Sequence, residues 1–476
     1  MIQLDLTRRL ALVATLAVSA LPVLAQDGEK PAETKEKPAE PADGEKKKED
    51  EEERWFAIQN GDVYTGTGEV LRGATLLAKN GKIHSIGYDL YVPPDAKTLD
   101  AKGFRLYPGL VAISSQGLLG NASSDFDDTI DPFNSRMILA LGTGITTTGA
   151  GTAAVKLKRF SVDGAVVNEK IFSSFSWSNS NPRVKGELRD KFVAATNYLR
   201  EYREWQRKVK DDKTLAEPNK RGVDNTVLAV LQGEQTAKFV SNDRDELLGI
   251  AHLAQEFGFR PVIEGCQEGW TIADELGRAG VRAIITPRDR RAKDERQVLA
   301  GGASIENAAI LHRAGVPVAI TPASEGVDLS GLVGRDIMHL PLEPGFAVRG
   351  GLPERAALES ITIVPARILG ISHRVGSLEI GKDCDVIVTD GDVLHYKTFV
   401  QWAVVDGKVA YDKEKELFFA HIRPRPEAAA PKKIDAGETP PDPDAKPDET
   451  DEDVEKKDGE DEPEEKGDGD EPKKDR

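Results

Sequence analysis

Cysteine is nearly absent: Cys266 and Cys384 are the only two in 476 residues. They fall in segments assigned to different domains, so a disulfide framework is not indicated; an exported chain that depended on one would carry more. Apolar runs long enough to span a bilayer are missing after residue 25. A basic excess is missing too, with 64 Lys and Arg against 81 Asp and Glu and a net charge of −17. Nucleic-acid surfaces need a basic field, so none is expected. Histidine is sparse: His84, His252, His312, His339, His373, His395 and His421 make seven, and no two have ligand spacing.

What is present is unevenly distributed. Met1–Ala25 has Arg8 and Arg9, an apolar run from Leu10, and small residues at Val23-Leu24-Ala25, the three parts of a secretory signal. Cleavage would leave Gln26 first. Retention as a membrane anchor is the alternative, since Leu10–Ala25 falls only slightly short of the roughly 20 residues a span needs. No Cys follows the cleavage site, which argues against a lipoprotein. The expected product is exported, periplasmic or extracellular. Segments 26–54 (net −5) and 427–476 (net −12) are rich in Pro, Glu, Asp and Lys and almost free of aromatics. Such segments bury too little apolar surface to offset the entropy of ordering and read as a disordered linker and a disordered acidic tail. The body between them is left near neutral, so the low pI marks no acidic binding face.

Within the body, strands and helices alternate, the pattern of a parallel α/β barrel. Readable barrel strands are Leu106–Ile113, Gly144–Gly149, Gly164–Phe172, Thr236–Val240, Pro261–Glu264, Val281–Ile285 and Val316–Ile320, seven of the eight a full barrel requires. Helices are expected over Asp243–Phe257, with Leu247, Leu248, Ala251 and Ala254 at helical spacing, over Gly269–Ala279, and over Ser304–Ala314 with Ser304 as N-cap. Arg183–Asp211 reads as a long charged helix or hairpin with one apolar side, placed over the site or on a partner. Short strands flank the body, with Asn80-Gly81 and Asp406-Gly407 as hairpin turns and Gly376–Ile380 as a further strand.

The run Phe104–Gly117, FRLYPGLVAISSQG, resembles the first barrel strand of the amidohydrolase superfamily, where Pro-Gly-Leu-Ile-Asp precedes His-x-His. The run from Ile361 to Asp385, with Pro365-Ala366-Arg367-Ile368-Leu369-Gly370 and Val375-Gly376-Ser377-Leu378-Glu379, is similar to the imidazolonepropionase-like branch. The resemblance implies a (β/α)8-type TIM barrel over 106–365. It also implies a composite β-sandwich from 55–105 and 366–426. Relatives hydrolyse non-peptide C–N bonds with zinc or a similar divalent metal held at the strand ends.

Matched position by position, the donors are missing. The family's Asp falls on Ala112 and its two histidines on Ser114 and Gln116. In QTAKFVSNDRDEL the ligand position falls on Val240 and a second histidine on Asn242. Gly265 stands where PVIEGCQEGW should carry His, and Ala323 stands where VAITPASE should carry the Asp general base. Ser and Gln oxygens are poor neutral ligands, and Val, Gly and Ala offer none. No cofactor is therefore expected. Two other sites are weighed. Asp125, Asp127, Asp128 and Asp131 form an acidic loop able to take a hard cation; Glu264 beside Cys266 is a carboxylate–thiol pair that lacks a histidine base. Three functions follow: a metal-free, inactive relative whose pocket binds a small ligand or a partner such as a second copy or an active paralogue; a hydrolase of cyclic amides or dipeptide-like substrates using an unrecognised site; or a structural envelope protein acting through its charged tails.

Overall fold

The computed structural model describes residues 53–120, 126–159, 161–295, 298–328, 334–416 and 418–421. The signal, nearly all of the linker and the acidic tail lie outside them. Five strands open the described body: β1 (Trp55–Tyr64), β2 (Val70–Lys79), β3 (Lys82–Gly87), β4 (Lys97–Asp100) and β5 (Arg105–Pro108). Nine follow in the barrel region: β6 (Leu110–Ala112), β7 (Ile145–Ala150), β8 (Ala153–Lys156), β9 (Val166–Asn168), β10 (Phe172–Phe175), β11 (Thr236–Ser241), β12 (Val262–Gly265), β13 (Arg282–Ile285) and β14 (Val318–Ile320). The last three are β15 (Val386–Thr389), β16 (Val400–Val405) and β17 (Lys408–Asp412).

Strands from both ends of the body join in one sheet, ordered β17-β16-β15-β5-β1-β2-β3, with β4 also on β1. The junction is the antiparallel pair β15–β5, in which Ile387 faces Tyr107. The expected composite origin is therefore present, but as one continuous eight-stranded sheet rather than two. Register shifts around Gly61 bend β1, and a side chain there would collide with Leu106. The inner face buries Ile58, Leu76, Ile83, Leu106, Val386 and Val404. Both expected hairpins form: Asn80 and Gly81, and Asp406 and Gly407, all have positive φ, as a two-residue turn matched to strand twist requires. Gly376–Ile380 is not a strand; its Leu378 N–H makes a single bond to the Thr65 carbonyl.

The barrel strands differ from expectation in two places. Leu106–Ile113 is interrupted at Gly109, so that β5 belongs to the composite sheet and only β6 enters the barrel. Gly109 packs against Thr146 too closely for a β-carbon. Gly164–Phe172 is likewise not one strand. Its first part, β9, pairs antiparallel with β8; Lys170, at φ +53°, breaks the extended run before β10 turns parallel to β11.

Parallel pairing then continues through β12, β13 and β14, and hydrogen bonds join the two barrel sheets at both seams. On one side the Ile171 N–H donates to Thr152. On the other, the Ile320 N–H donates to Ser360 and the Val111 N–H to Ile361, so a turn at Ser360–Ile361 bridges β14 and β6. That step supplies the closing segment that the sequence did not disclose. The helix after it, Ile363–Ile368, buries Ile363, Val364 and Ala366 with Val111, Val262, Ile284 and Ala319 of the strands. It belongs to the barrel, so a domain boundary at 365/366 cuts through it.

Helix Arg244–Phe257 starts where Asp243 accepts the Asp245 and Glu246 N–H groups and ends at Gly258 in the left-handed region. The helix expected from Gly269 begins with a 3-10 turn, Gly269–Ile272, before Ala273–Arg278. Ser304 is not the N-cap of the next helix, which runs Asn307–Arg313; its hydroxyl accepts the Glu306 N–H in the turn leading in. The long helix Pro182–Lys208 buries Leu188, Phe192, Ala195 and Leu199 at helical spacing. Phe192 stacks on Phe259 at 4.9 Å and packs on Phe257 at 5.2 Å. The helix thus lies against the outer layer of the barrel and not over the site.

Candidate binding site at the barrel mouth

Parallel barrels build their sites at the C-terminal strand ends. Alternation along β11 puts Ala237 and Phe239 in the outer core and turns Lys238 and Val240 the other way, with Val240 66% exposed. On β12, Val262 joins the inner core and Ile263 the outer one, so Glu264 points with Val262. Val240 and Glu264 are register neighbours. Lys238 Nζ lies 2.7 Å from Glu264 Oε2, both side chains partly exposed, and sits 5.4 Å from the centroid of the Phe172 ring. Glu264 is thus partnered by a lysine that sequence reasoning passed over. Its two-residue offset from Val240 was the available signal.

The second feature is Glu325, also missed. Ser114 Oγ donates to Glu325 Oε1 at 2.5 Å and Gln116 Nε2 to Glu325 Oε2 at 3.2 Å. The Gln116 N–H donates to the Glu325 carbonyl at 2.9 Å. One carboxylate therefore ties the exit of β6 to the exit of β14, two residues beyond the exposed Ala323.

Gly265 closes the third strand end. Its φ is +93°, and a β-carbon would collide with the Asn242 carboxamide. Asn242 Oδ1 in turn accepts the Gln267 N–H at 3.4 Å. The structure thus groups Ser114 with Gln116, Asn242 with Gly265, and Val240 with Glu264.

Cys266 does not join them. It is fully buried, in the same core cluster as Leu276 and Leu311, and burial pushes its thiol up to about 12. A thiol held neutral there is no nucleophile, so its placement in the pocket is corrected. Cys266 and Cys384 are both free. Of the acidic loop, Asp125 and the side chains of Asp127 and Asp128 lie outside the described residues. Asp131 accepts the Phe133 N–H at 3.0 Å as a local turn. Among the described residues no three His, Cys, Asp or Glu side chains converge as a metal cluster would.

The Amidohydrolase family profile matches residues 267–415, and an amidohydrolase from Thermotoga maritima MSB8 superposes with a TM-score of 0.58. Residues 267–415 are thus similar to the amidohydrolase family, and the fold is shared with an amidohydrolase. That superposition covers 75% of this chain and 100% of the other at 22% identity, and shows a shared fold. An amidohydrolase, tasK, of Hapsidospora irregularis is 35% identical over 85 residues. An N-acetylglucosamine-6-phosphate deacetylase of Danio rerio is 44% identical over 55. These stretches span only 9% and 14% of those curated relatives. The shared fold places the residue groups described above at the mouth of a TIM-type barrel.

Proposed function

We propose that this amidohydrolase-superfamily chain uses the barrel mouth as a metal-independent binding site for a small molecule and has lost hydrolytic chemistry. The observation that carries the reading is the Glu325 clamp. The two side chains at the exit of the first barrel strand, Ser114 and Gln116, each donate a hydrogen bond to Glu325. Val240, Gly265 and Ala323 contribute no donor atom. A divalent metal needs about three or four His or carboxylate ligands converging on one point, and this set does not fit one. The mouth instead offers the Lys238–Glu264 pair above Phe172 and beside Val240. That mixture suits a ligand with one polar group and one apolar face.

A second reading has one observation in its favour. A carboxylate paired with an ammonium at a strand end can exchange a proton with a bound substrate, so Glu264 and Lys238 could serve a hydrolase of cyclic amides or dipeptide-like compounds. Screening cyclic imides, lactams and dipeptides, with and without added zinc or manganese, separates the two. The binding reading predicts no turnover above buffer. Turnover abolished by Glu264→Gln would replace it with the hydrolytic one.

A further inference from the structure

The loops after β12, β13 and β14 and the helix Glu343–Arg349 border a groove of about 1160 Å³. A smaller space that reaches Gly265 shares Gln267, Pro287 and Ser304 with it, so the groove lies beside the end of β12. Four arginines line it, Arg288, Arg290, Arg291 and Arg335, against one acid, Asp289. Ile305 and Phe346 add exposed apolar surface.

Two observations set these arginines apart from solvated surface charge. The first is that two of them are held from behind. Glu343 is fully buried, and its Oε1 accepts from Arg288 Nε at 2.9 Å and from Arg288 Nη2 at 2.5 Å. Arg288 Nη2 also donates to the Gly334 carbonyl, while Arg335 Nη2 donates to Asp289 at 2.5 Å. Each arginine thus bonds the chain neighbour of the other, and the two stand side by side. Arg288 further lies 4.7 Å from the centroid of the Phe346 ring. A guanidinium fixed in this way gives up little further freedom when an anion binds.

The second is what the fixed groups leave unused. Among the described residues, Nη1 of Arg288 and Nη1 of Arg335 have no hydrogen-bond partner, and neither is shut away from solvent. Arg290 is exposed and has no salt-bridge partner among them. Arg291 stands 3.4 Å from Glu268 and 3.5 Å from Asp243. Those carboxylates already accept backbone N–H groups, Glu268 from Arg244 and Gly302, Asp243 from Asp245 and Glu246. Cationic donors therefore outnumber acceptors along the groove.

We propose that the groove is the anion-binding part of the mouth and takes a small molecule that carries a doubly charged oxyanion, a phosphate monoester or a dicarboxylate, on an apolar body. The oxyanion would accept from Nη1 of Arg288 and Arg335 and face Arg290, with the body against Ile305 and Phe346. Guanidinium groups match such oxygens in geometry as well as charge. This names the ligand class of the binding reading above and rests on that reading. The chemistry is binding only; no bond is made or broken.

Calorimetric titration of the full chain with phenyl phosphate and with phenylmalonate tests it, beside neutral benzyl alcohol and cationic 2-phenylethylamine. Saturable binding of at least one dianion is expected, weakened about 5- to 10-fold in Arg290→Ala and in Arg288→Lys, which keeps the charge but not the fork. Binding of phenyl phosphate alone selects the phosphate monoester, and of phenylmalonate alone the dicarboxylate. Arg290 is exposed, so its variant carries the test should Arg288→Lys fail to fold. No saturation by either dianion up to about 10 mM, equal affinity for the alcohol or the amine, or dianion binding unchanged in the variants that fold would overturn the proposal and leave the binding reading of the mouth standing. That reading fails instead by turnover in the substrate screen.

Discussion

Gly265 shows how far a single position can govern what the barrel mouth offers. Its φ of +93° lies where only glycine rests without strain, and the Asn242 carboxamide occupies the space of any β-carbon. A histidine could not simply be placed there, because both the backbone conformation and the neighbouring carboxamide oppose a β-carbon. Gly265→Ala is expected to cost about 1–3 kcal/mol in urea unfolding. Part of that should return when Asn242→Ala removes the collision, leaving the φ strain. A neutral Gly265→Ala would show that the strand end is more pliable than described. Glu325 makes the complementary point, since its carboxylate ties together side chains that, matched to the family's run, stand where metal ligands would.

At the scale of elements, the joint between β8 and the composite sheet has its own electrostatics. Lys156 is fully buried on β8, with its Nζ 2.7 Å from Asp383, 3.0 Å from Asp385 and 2.5 Å from Asp406. Lys82, Lys158 and Arg374 approach the same carboxylates from the rim. Burial alone would lower the Lys156 pKa, but the three carboxylates outweigh it and raise it. Burial likewise opposes ionisation of Asp383 and Asp406, and Lys156 outweighs it, so both are lowered; Asp385 is raised by its burial.

An acid with a lowered folded pKa stabilises the fold above its unfolded pKa and loses that contribution as pH falls through the folded value. Asp383 and Asp406 should therefore make the wild type lose stability below about pH 4, near the ordinary aspartate range, with Asp385 offsetting part of the loss. Lys156→Met leaves two buried carboxylates and the half-buried Asp406 short of their cation and should cost about 3–5 kcal/mol at neutral pH. Its pH dependence should also reverse, because protonating those carboxylates then relieves repulsion. Chemical unfolding at pH 7, 4 and 3 reads both, and a parallel loss in wild type and variant would contradict the assignment.

Much of this element-scale structure was legible. The hairpins at Asn80-Gly81 and Asp406-Gly407, the helix over Asp243–Phe257 and the long amphipathic helix follow from local rules that tertiary contacts did not override. The misses have physical causes. Gly109 and Lys170 break strands whose apolar composition reads as continuous, and the Ser360–Ile361 step is too short to give a period. Lys238 is legible only through its two-residue offset from Val240 once the strand is known, whereas Glu325 lies in a bend beyond β14, where no strand period says which way a side chain points.

Across the described residues, a barrel seam closed by Ser360–Ile361 and Glu325, and a composite sheet anchored through Lys156, describe a barrel scaffold whose joints are hydrogen bonds and buried ion pairs of its own residues. The account turns on whether that scaffold still grips a metal. Elemental analysis of the purified full-length protein after mild chelation measures this most directly. The account predicts zinc, manganese and iron each far below one equivalent per chain; retention of any one of them at stoichiometric level would contradict it.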